Sequence, residues 1–354
     1  MFETICHKCP GTEKPYISVI VIAFDRKEYI LEAVKSVLNQ SLDRSKYEIL
    51  VIKNYTDDSI DDFLCSNNVI NIYSDDVSYE SKLAYGIEKA VGKIVCFLDD
   101  DDMFLPNKLE NIYSIFKENP NTVFVRNGTL NISNTIPEFS DIDIVKTQAK
   151  DDKVNKIKIG SIDSVRNVYD IIRKHGIAHT SSISIKKDFY MTSTHSITVS
   201  DNLVETFLLF WAISRGSEDN VLVFIDKELT MYRIHDSWTQ SSIGSGIRSF
   251  SMKSLQLSNQ GIETLERFKI IFNSNVTLKN YLELTQIAWK IQAKLTESKK
   301  CGFLDPASLI KIGLYKRDLQ IFAAVPVAVL SFVSPASAGK IFRFGLMRVQ
   351  SIKA

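Results

Sequence analysis

The stretch FLDDDDMFLP, residues 97–106, decides how the rest of the chain is interpreted. The apolar run from Ile94 to Leu98 is typical of a short strand that is buried on both faces. It ends in four consecutive carboxylates, Asp99 to Asp102, which repel one another and have no packing role. Acids at the carboxyl end of a strand in an α/β sheet face the crevice where ligands bind. They predict a site for a hard divalent cation, and the alternative is a solvated acidic turn.

Short apolar runs alternate with amphipathic segments over the first 120 residues. We predict strands at 17–24, 48–53, 69–73 and 94–98, and helices at 25–41, 82–91 and after Pro106. Asp25 is expected to cap the first helix, and Gly92 is expected to end the second. The alternation predicts the α/β class with a parallel sheet.

The later part of the chain is predicted in less detail. We expect a strand at 122–128, a flexible loop at 131–160, a strand at 178–187, a helix at 200–214 and a hairpin of 221–226 with 229–235. Beyond residue 245 the pattern indicates long helices. The predicted domains are therefore 1–245, catalytic, and 246–354, mostly helical.

Composition excludes some classes of function. The net charge of +1 gives no reason to expect a nucleic-acid partner. The five cysteines are an odd number and scattered, which favours a reducing compartment and predicts no disulfide framework. Cys6 and Cys9 form a lone CHKC pair, a weak sign of a zinc site. No signal peptide is visible. These features favour an ordinary globular protein of the cytoplasm.

Three segments together resemble a known family. They are ISVIVIAFDRKEYILEAVKSVLNQ (17–40), YEILVIKN (47–54) and GKIVCFLDDDDMFLPNKL (92–109). They are similar to the nucleotide-binding half of family 2 glycosyltransferases, and the resemblance extends over roughly residues 16–240. It implies a GT-A fold, a nucleotide-sugar donor, a divalent metal (Mn²⁺ or Mg²⁺) and inversion at the anomeric carbon.

The resemblance also implies roles for individual residues. Phe24, Asp25 and Arg26 occupy the positions that hold the nucleoside. Asp99 and Asp100 occupy positions that reach the ribose and the metal shell.

The metal and the base are implied in the same way. Asp101, the last acid of the DxD motif, is expected to ligate the metal. His235, in the YRIH segment that resembles a late family motif, completes the shell or is structural. Asp201 occupies the place of the general base, and its alternative role is a helix N-cap. Arg233 is expected to pair with a nearby acid.

Two departures from the family pattern affect the donor site. Where many members have VVDDGS, this chain has Lys53 and Asn54 in place of the two acids. The amide oxygen of Asn54 can still accept a hydrogen bond from a base such as uracil. The family's Arg-Asn pair is replaced by Leu83-Ala84, and Lys82 is expected to supply the missing cation.

The segment from Leu319 to Gly339 contains no charged residue, but Pro326 and Pro335 interrupt it. A spanning helix needs about 20 mainly apolar residues, so this segment is marginal. Its basic flanks favour shallow insertion into an anionic membrane surface. The alternative is a buried helix that packs on the catalytic domain.

These observations lead to one hypothesis and one alternative. The hypothesis is an inverting, metal-dependent glycosyltransferase that uses a UDP-linked sugar and acts at the cytoplasmic face of a membrane. Its acceptor would be a glycan or a lipid-linked molecule. The alternative is a non-catalytic GT-A protein that binds or scaffolds in a glycan assembly complex.

Overall fold

The computed structural model describes residues 1–6, 14–132, 153–175, 179–201, 203–234, 246–316 and 319–343. The chain divides into two compact units, of which the first is 1–161 with 177–234 and the second is 162–176 with 235–354. The predicted division at residue 245 stays a prediction, because residues 235–245 lie outside the described part.

The first unit is built on one mixed sheet. Within the described residues its strands are β1 (Phe2–Cys6), β2 (Ile17–Ala23), β3 (Tyr47–Lys53), β4 (Ile70–Ser74), β5 (Ile94–Asp99), β6 (Met103–Phe104), β7 (Thr122–Ile132), β8 (Val154–Lys158), β9 (Ile183–Lys186) and β10 (Val221–Arg233). Their order across the sheet is β1-β4-β3-β2-β5-β9-β7-β10-β6, and β8 pairs with β10.

Four of these strands form the parallel half that the sequence predicts. β2 pairs in parallel with β3 and β5, and β3 pairs in parallel with β4. Every residue of β2 and β3 is buried, which explains why both read as unbroken apolar runs. The connecting helices are α1 (Ile30–Leu38), α2 (Asp58–Ser66), α3 (Tyr79–Lys89) and α4 (Lys108–Glu118). The predicted α/β class is confirmed.

The other half of the sheet departs from the prediction. β9 is antiparallel to both of its neighbours, β5 and β7. The predicted hairpin at 221–235 is wrong: the two runs form one strand, β10, which pairs in parallel with β7 along its length. The turn-like residues between the runs are accommodated as a register shift between Ile225 and Glu228. The predicted loop at 131–160 is wrong where β7 and β8 extend into it.

Three helices of the first unit follow β9 along the described chain. They are α6 (Lys187–Tyr190), α7 (Thr194–Ile197) and α8 (Val204–Arg215). α8 begins four residues later than predicted and is buried along most of its length, from Phe207 to Ile213. The predicted strand at 178–187 is limited to β9, because Thr180–Ser182 form a turn of 3₁₀-helix.

Two predicted caps are wrong. Asp25 has a φ of 53° and lies before the helix, which begins at Ile30 with Tyr29 as its N-cap. α3 ends with Ala90 as its C-cap. Gly92 serves close packing instead, since a Cβ there would lie 2.7 Å from the backbone nitrogen of Ser18.

Residues Phe2–Cys6 form a strand for which no prediction was made, and this strand carries a disulfide-bonded cysteine. β1 pairs antiparallel with β4 at the edge of the sheet. This pairing places Cys6 beside the end of α2, where it forms a disulfide with Cys65. The prediction of no disulfide is therefore wrong. The scattered cysteines gave no sign of it, because the two are 59 positions apart and meet only when β1 joins the edge of the sheet.

The described part of the second unit is helical. Its helices are α5 (Val165–His175), α9 (Gly246–Ile271), α10 (Val276–Thr296), α11 (Asp305–Lys316) and α12 (Leu319–Leu330), and residues 335–343 are also helical. α12 packs against α11, and its Ala328 is buried in an apolar cluster with Leu309 and Leu295. Among the described helices, none has the length and apolar character needed to cross a membrane.

Gly86 allows α3 to lie close to the sheet. A Cβ at this position would lie 2.7 Å from Ile20 Cγ2 and 3.1 Å from Ile52 Cδ1. We expect Gly86→Val to destabilise the protein by about 1–3 kcal/mol, because the core there has no room for the added carbons. Urea unfolding measures the change. Gly302→Val is the control, since a Cβ at that position would have no neighbour closer than 3.5 Å; equal effects at both sites would contradict the close approach.

Candidate active site

The candidate active site lies where three neighbouring parallel strands end. β2 lies between β3 and β5, with Ile22 opposite Asp99 and Ala23 opposite Lys53. The segments that follow these strands, 24–26, 54–56 and 99–102, therefore meet at one edge of the sheet. The structure thus brings together most of the residues that the family resemblance selected.

Arg26 neutralises two acids of the run. Its Nη2 donates to Asp100 Oδ1 at 2.8 Å, and its Nη1 donates to Asp101 Oδ2 at 2.6 Å. The backbone N–H of Phe24 also donates to Asp100, at 3.1 Å. Burial raises the pKa of Asp100 to about 7, although the charge of Arg26 opposes this shift. Asp100 is thus bound within the protein, and Asp101 is the more accessible carboxylate, with 13% of its side chain exposed against 2%.

Asp99 faces a different group of residues. Its Oδ1 accepts a hydrogen bond from the hydroxyl of Tyr79 at 2.7 Å, and its N–H donates to Ser181 Oγ at 3.0 Å. Desolvation, followed by the charges of Asp102 and Asp101, raises the pKa of Asp99 well above its usual range. The expected contact of Asp99 with a ribose stays a prediction.

Arg233, at the end of β10, fixes the acid run from the other side. It is 1% exposed, its Nε donates to the carbonyl of Asp101 at 2.9 Å, and its N–H donates to Asp102 Oδ1 at 3.1 Å. Its guanidinium forms the expected ion pair, with Glu32 Oε2 at 2.7 Å, and lies 4.3 Å from the ring centre of Tyr29. Arg233 therefore ties the acid run to helix α1.

Asp25 and Asn54 hold each other across the strand ends. The N–H of Asp25 donates to Asn54 Oδ1 at 3.0 Å, and Asn54 Nδ2 donates to Asp25 Oδ1 at 2.8 Å. The left-handed backbone at Asp25 allows this reciprocal pair. Since Tyr55 Oη also donates to the carbonyl of Arg26 at 3.1 Å, the two loops form one connected wall. The amide oxygen of Asn54 that was expected to face a base is occupied within the protein.

Lys53 points away from the ligand side. It is fully buried, its Nζ lies 2.7 Å from Asp61 Oδ1, and it donates to the carbonyl of Tyr55 at 2.6 Å. Asn71 donates to the same carboxylate oxygen of Asp61 at 2.7 Å. The lysine that replaces a family acid is therefore neutralised by an acid on α2. This departure from the family pattern therefore alters the contacts between β3 and α2.

Lys82 lies below the first loop. Its Nζ donates to the carbonyl of Ala23 at 3.4 Å and lies 4.9 Å from the ring centre of Phe24, which is 42% exposed. Burial lowers the pKa of Lys82, against the opposing charges of Asp76 and Asp25. The cation expected to compensate for Leu83-Ala84 is thus present at the loop that carries the nucleoside positions.

Asp201 lies in the turn before α8. The N-cap of α8 is Leu203, without a side-chain cap, so Asp201 does not fill the capping role considered as its alternative. Its φ of 36° is in the left-handed region, a strained backbone of the kind that occurs at functional sites. The structure therefore leaves the role of general base as a prediction.

His179 lies near the acid run, where the charge of Asp101 acts on it. His179 stacks on Tyr232 with ring centres 3.4 Å apart. Burial and the charge of Arg126 lower its pKa to about 4, so it is neutral at pH 7. His235, the proposed second metal ligand, lies outside the described residues.

The residues fit a divalent metal in the type of their donor atoms. Carboxylate oxygens suit Mg²⁺ and Mn²⁺, and Asp101 is the acid of the run that is least enclosed by protein donors. In the described ranges no three His, Cys, Asp or Glu side chains converge as a metal cage. Mg²⁺ is commonly held by one or two carboxylates with phosphate oxygens and water. Asp101 would supply such a carboxylate when its ion pair with Arg26 opens.

Lys108 was missed by sequence reasoning. It is fully buried, and its Nζ donates to Thr230 Oγ1 at 2.9 Å and to the carbonyl of Ser181, and lies 3.7 Å from the ring centre of Phe104. Burial lowers its pKa to about 7. Lys108 joins three elements directly beneath the acid run. No local pattern marks it, because its partners are 73 and 122 residues away.

Comparison with known proteins identifies the family of the segment that carries the acid run. Residues 18–162 match the model of Glycosyl transferase family 2. S. aureus TarS aligns with a TM-score of 0.48 and 13% identity, over 87% of this chain and 54% of that chain, so this chain spans about half its length. TarS 1–349 in complex with UDP-GlcNAc aligns with a TM-score of 0.49 and 14% identity, over 87% and 90%. No curated protein matches the chain.

Arg233 offers a direct test of how the acid run is held. We expect Arg233→Met to destabilise the protein by about 2–4 kcal/mol, because Glu32 loses its buried partner and the Asp101 carbonyl loses a donor. Urea unfolding measures the loss. Arg215→Met is the matched control on the exposed end of α8 and should change stability by less than about 0.5 kcal/mol. Similar values for the two variants would show that Arg233 does not support the run.

Proposed function

We propose that this chain transfers a sugar from a nucleotide-sugar donor to an acceptor hydroxyl, with inversion, because residues 18–162 match the model of Glycosyl transferase family 2. The observation that carries the proposal is the direct coupling of the acid run to the loop of Phe24 and Arg26. This coupling supports a common donor site formed by the loop after β2 and the acids after β5.

The donor is proposed to be UDP-linked. Phe24 is exposed enough to contact a nucleobase, and Lys82 lies behind it as a source of positive charge. Asn54 keeps hydrogen-bonding capacity beyond its pair with Asp25, since an amide offers two donors and two acceptor lone pairs. Uridine is therefore the first nucleoside to test.

The metal is proposed to bind at Asp101. When bound, such a cation offsets the negative charge that develops on a diphosphate leaving group. Arg26 holds Asp101 through one guanidinium nitrogen and Asp100 through another. It can turn toward the diphosphate while it keeps Asp100, which frees the Asp101 oxygen for the metal.

The base is proposed to be Asp201. An inverting transfer is a single displacement, so it needs a base for the acceptor hydroxyl and no protein nucleophile. Asp201, in the turn before α8, supplies a carboxylate at the position that the family resemblance assigns to the base.

The acceptor is proposed to be a glycan or a lipid-linked molecule at a membrane surface. Support comes from the basic residues around the apolar segment 319–339. The cytoplasmic face stays a prediction. The Cys6–Cys65 disulfide speaks against it, because such bonds persist mainly in oxidising compartments.

The metal assignment predicts that Asp101 couples metal and nucleotide binding. In the unmodified protein, Mn²⁺ should strengthen UDP binding, and Asp101→Ala should reduce that gain by at least about tenfold, because its oxygen ligand is lost. Calorimetry with and without Mn²⁺ measures both. Asp62→Ala, an exposed acid on α2, is the control. An unchanged metal effect in Asp101→Ala would rule out the assignment.

The base assignment predicts a separation of chemistry from binding. Asp201→Asn should lower UDP release from a UDP-sugar by about 10²–10⁴-fold, because the amide cannot take a proton. UDP affinity and the unfolding midpoint should stay unchanged. Asp188→Asn, an exposed acid on α6, is the control. Release at the normal rate in Asp201→Asn would place the base elsewhere.

A further inference from the structure

One end of the helical hairpin formed by α11 and α12 carries a cluster of exposed apolar side chains. The loop before α11 and the turn after α12 lie side by side, since the N–H of Cys301 donates to Ser331 Oγ at 3.0 Å. Lys300 Nζ also lies 5.7 Å from the ring centre of Phe332. These contacts bring two segments about 30 residues apart to the same place.

The cluster consists of Phe303, Leu304 and Val333, which we name the apolar tip. Their exposed fractions are 88%, 71% and 86%. The loop beneath them is anchored, because Cys301 is buried and the N–H of Gly302 donates to Asp305 Oδ2 at 2.6 Å. The tip is therefore presented outward on a fixed base.

The surroundings of the tip are positively charged. Over 290–316 and 319–343 the acids are Glu297 and Asp305, and each lies 2.8 Å from a lysine, Lys299 and Lys294. Lys299 and Lys300 are exposed beside the tip. The helix at 335–343 adds the exposed Lys340. It lies close by, since a Cβ on the preceding Gly339 would collide with Ser298. The tip thus combines exposed apolar side chains with a surplus of cations.

We propose that the apolar tip inserts into the surface of an anionic lipid bilayer. Apolar side chains contribute by leaving water, and nearby lysines are attracted to anionic headgroups. A second copy of the chain is a poorer occupant, because it would bring the same lysines against one another. The inference rests on the proposed function in that a membrane-borne acceptor explains why the protein would bind a membrane.

This surface differs from the one expected from the sequence. The segment 319–339 was expected to insert as a whole, but Ala328 and Ala338 are buried in the apolar cluster of the helical unit. Of that segment, only Val333 belongs to the tip. The two larger side chains come from residues 303–304, which precede the segment 319–339 and were not predicted from the sequence to contact a membrane.

Co-flotation with lipid vesicles tests the proposal on the full chain. The protein should float with vesicles of phosphatidylcholine and phosphatidylglycerol in low salt, and binding should weaken as salt increases. The triple variant Phe303→Ser, Leu304→Ser, Val333→Ser should reduce the partition coefficient by at least about tenfold, because it removes the inserted apolar area. Lys299→Gln with Lys300→Gln should reduce binding to the anionic vesicles alone.

The control variant is Ile270→Ser with Val276→Ser. These residues are 74% and 68% exposed in the same helical unit. Val276 begins α10, whose opposite end lies near the tip, about 30 Å away for a helix of this length. The control should float like the unmodified protein.

Three results would overturn the proposal. They are flotation of the triple variant at the normal level, equal binding to neutral and anionic vesicles, and dissociation of an oligomer by the triple variant in light scattering. The last result would assign the tip to contact between copies. UDP binding by calorimetry is measured on every variant. If the unmodified protein does not bind UDP, the proposed function is contradicted. If it binds UDP but does not float with anionic vesicles, only the proposed membrane surface is contradicted.

Discussion

Four consecutive carboxylates repel one another, and the first unit is arranged so that each accepts a hydrogen bond from another part of the fold. Asp99 is held by Tyr79, and Asp102 by the backbone of Arg233. The two middle acids share Arg26. Because these partners come from separate strands and helices, the repulsion is relieved only in the folded domain. The acid run therefore lies at the centre of the candidate site, and the repulsion among its carboxylates is the main electrostatic cost that the fold offsets.

The parallel half of the sheet could be predicted because its strands are buried on both faces. β2, β3 and β5 read as apolar runs since helices cover both sides, and the stripe of Ile30, Val34 and Val37 on α1 matches the face that packs there. The other half was less predictable. β10 contains turn-like residues at a register shift, and only its pairing with β7 keeps it continuous.

The candidate site, like the sheet, was predicted only in part from the sequence. Positions on the motif, such as Phe24, Arg26 and Asp101, were identified through the family resemblance. Tyr79 and Lys108 were not, since their roles depend on contacts that sequence periodicity does not report. Lys53 was identified as a departure that affects the donor site, but it is fully buried and its ammonium is paired with Asp61.

The antiparallel strand β9 has a consequence for how the protein is made. It sits between β5 and β7, so a strand that ends at Asp99 acquires one of its neighbours from residues 183–186. Arg233, which fixes Asp101 and Asp102, emerges later still. During synthesis the four parallel strands β2 to β5 can associate early. The contacts of the acid run are complete only after β10, which carries Arg233, has been made. Contacts between such distant residues slow folding. A nascent chain therefore carries an unfinished candidate site until nearly the whole first unit has left the ribosome.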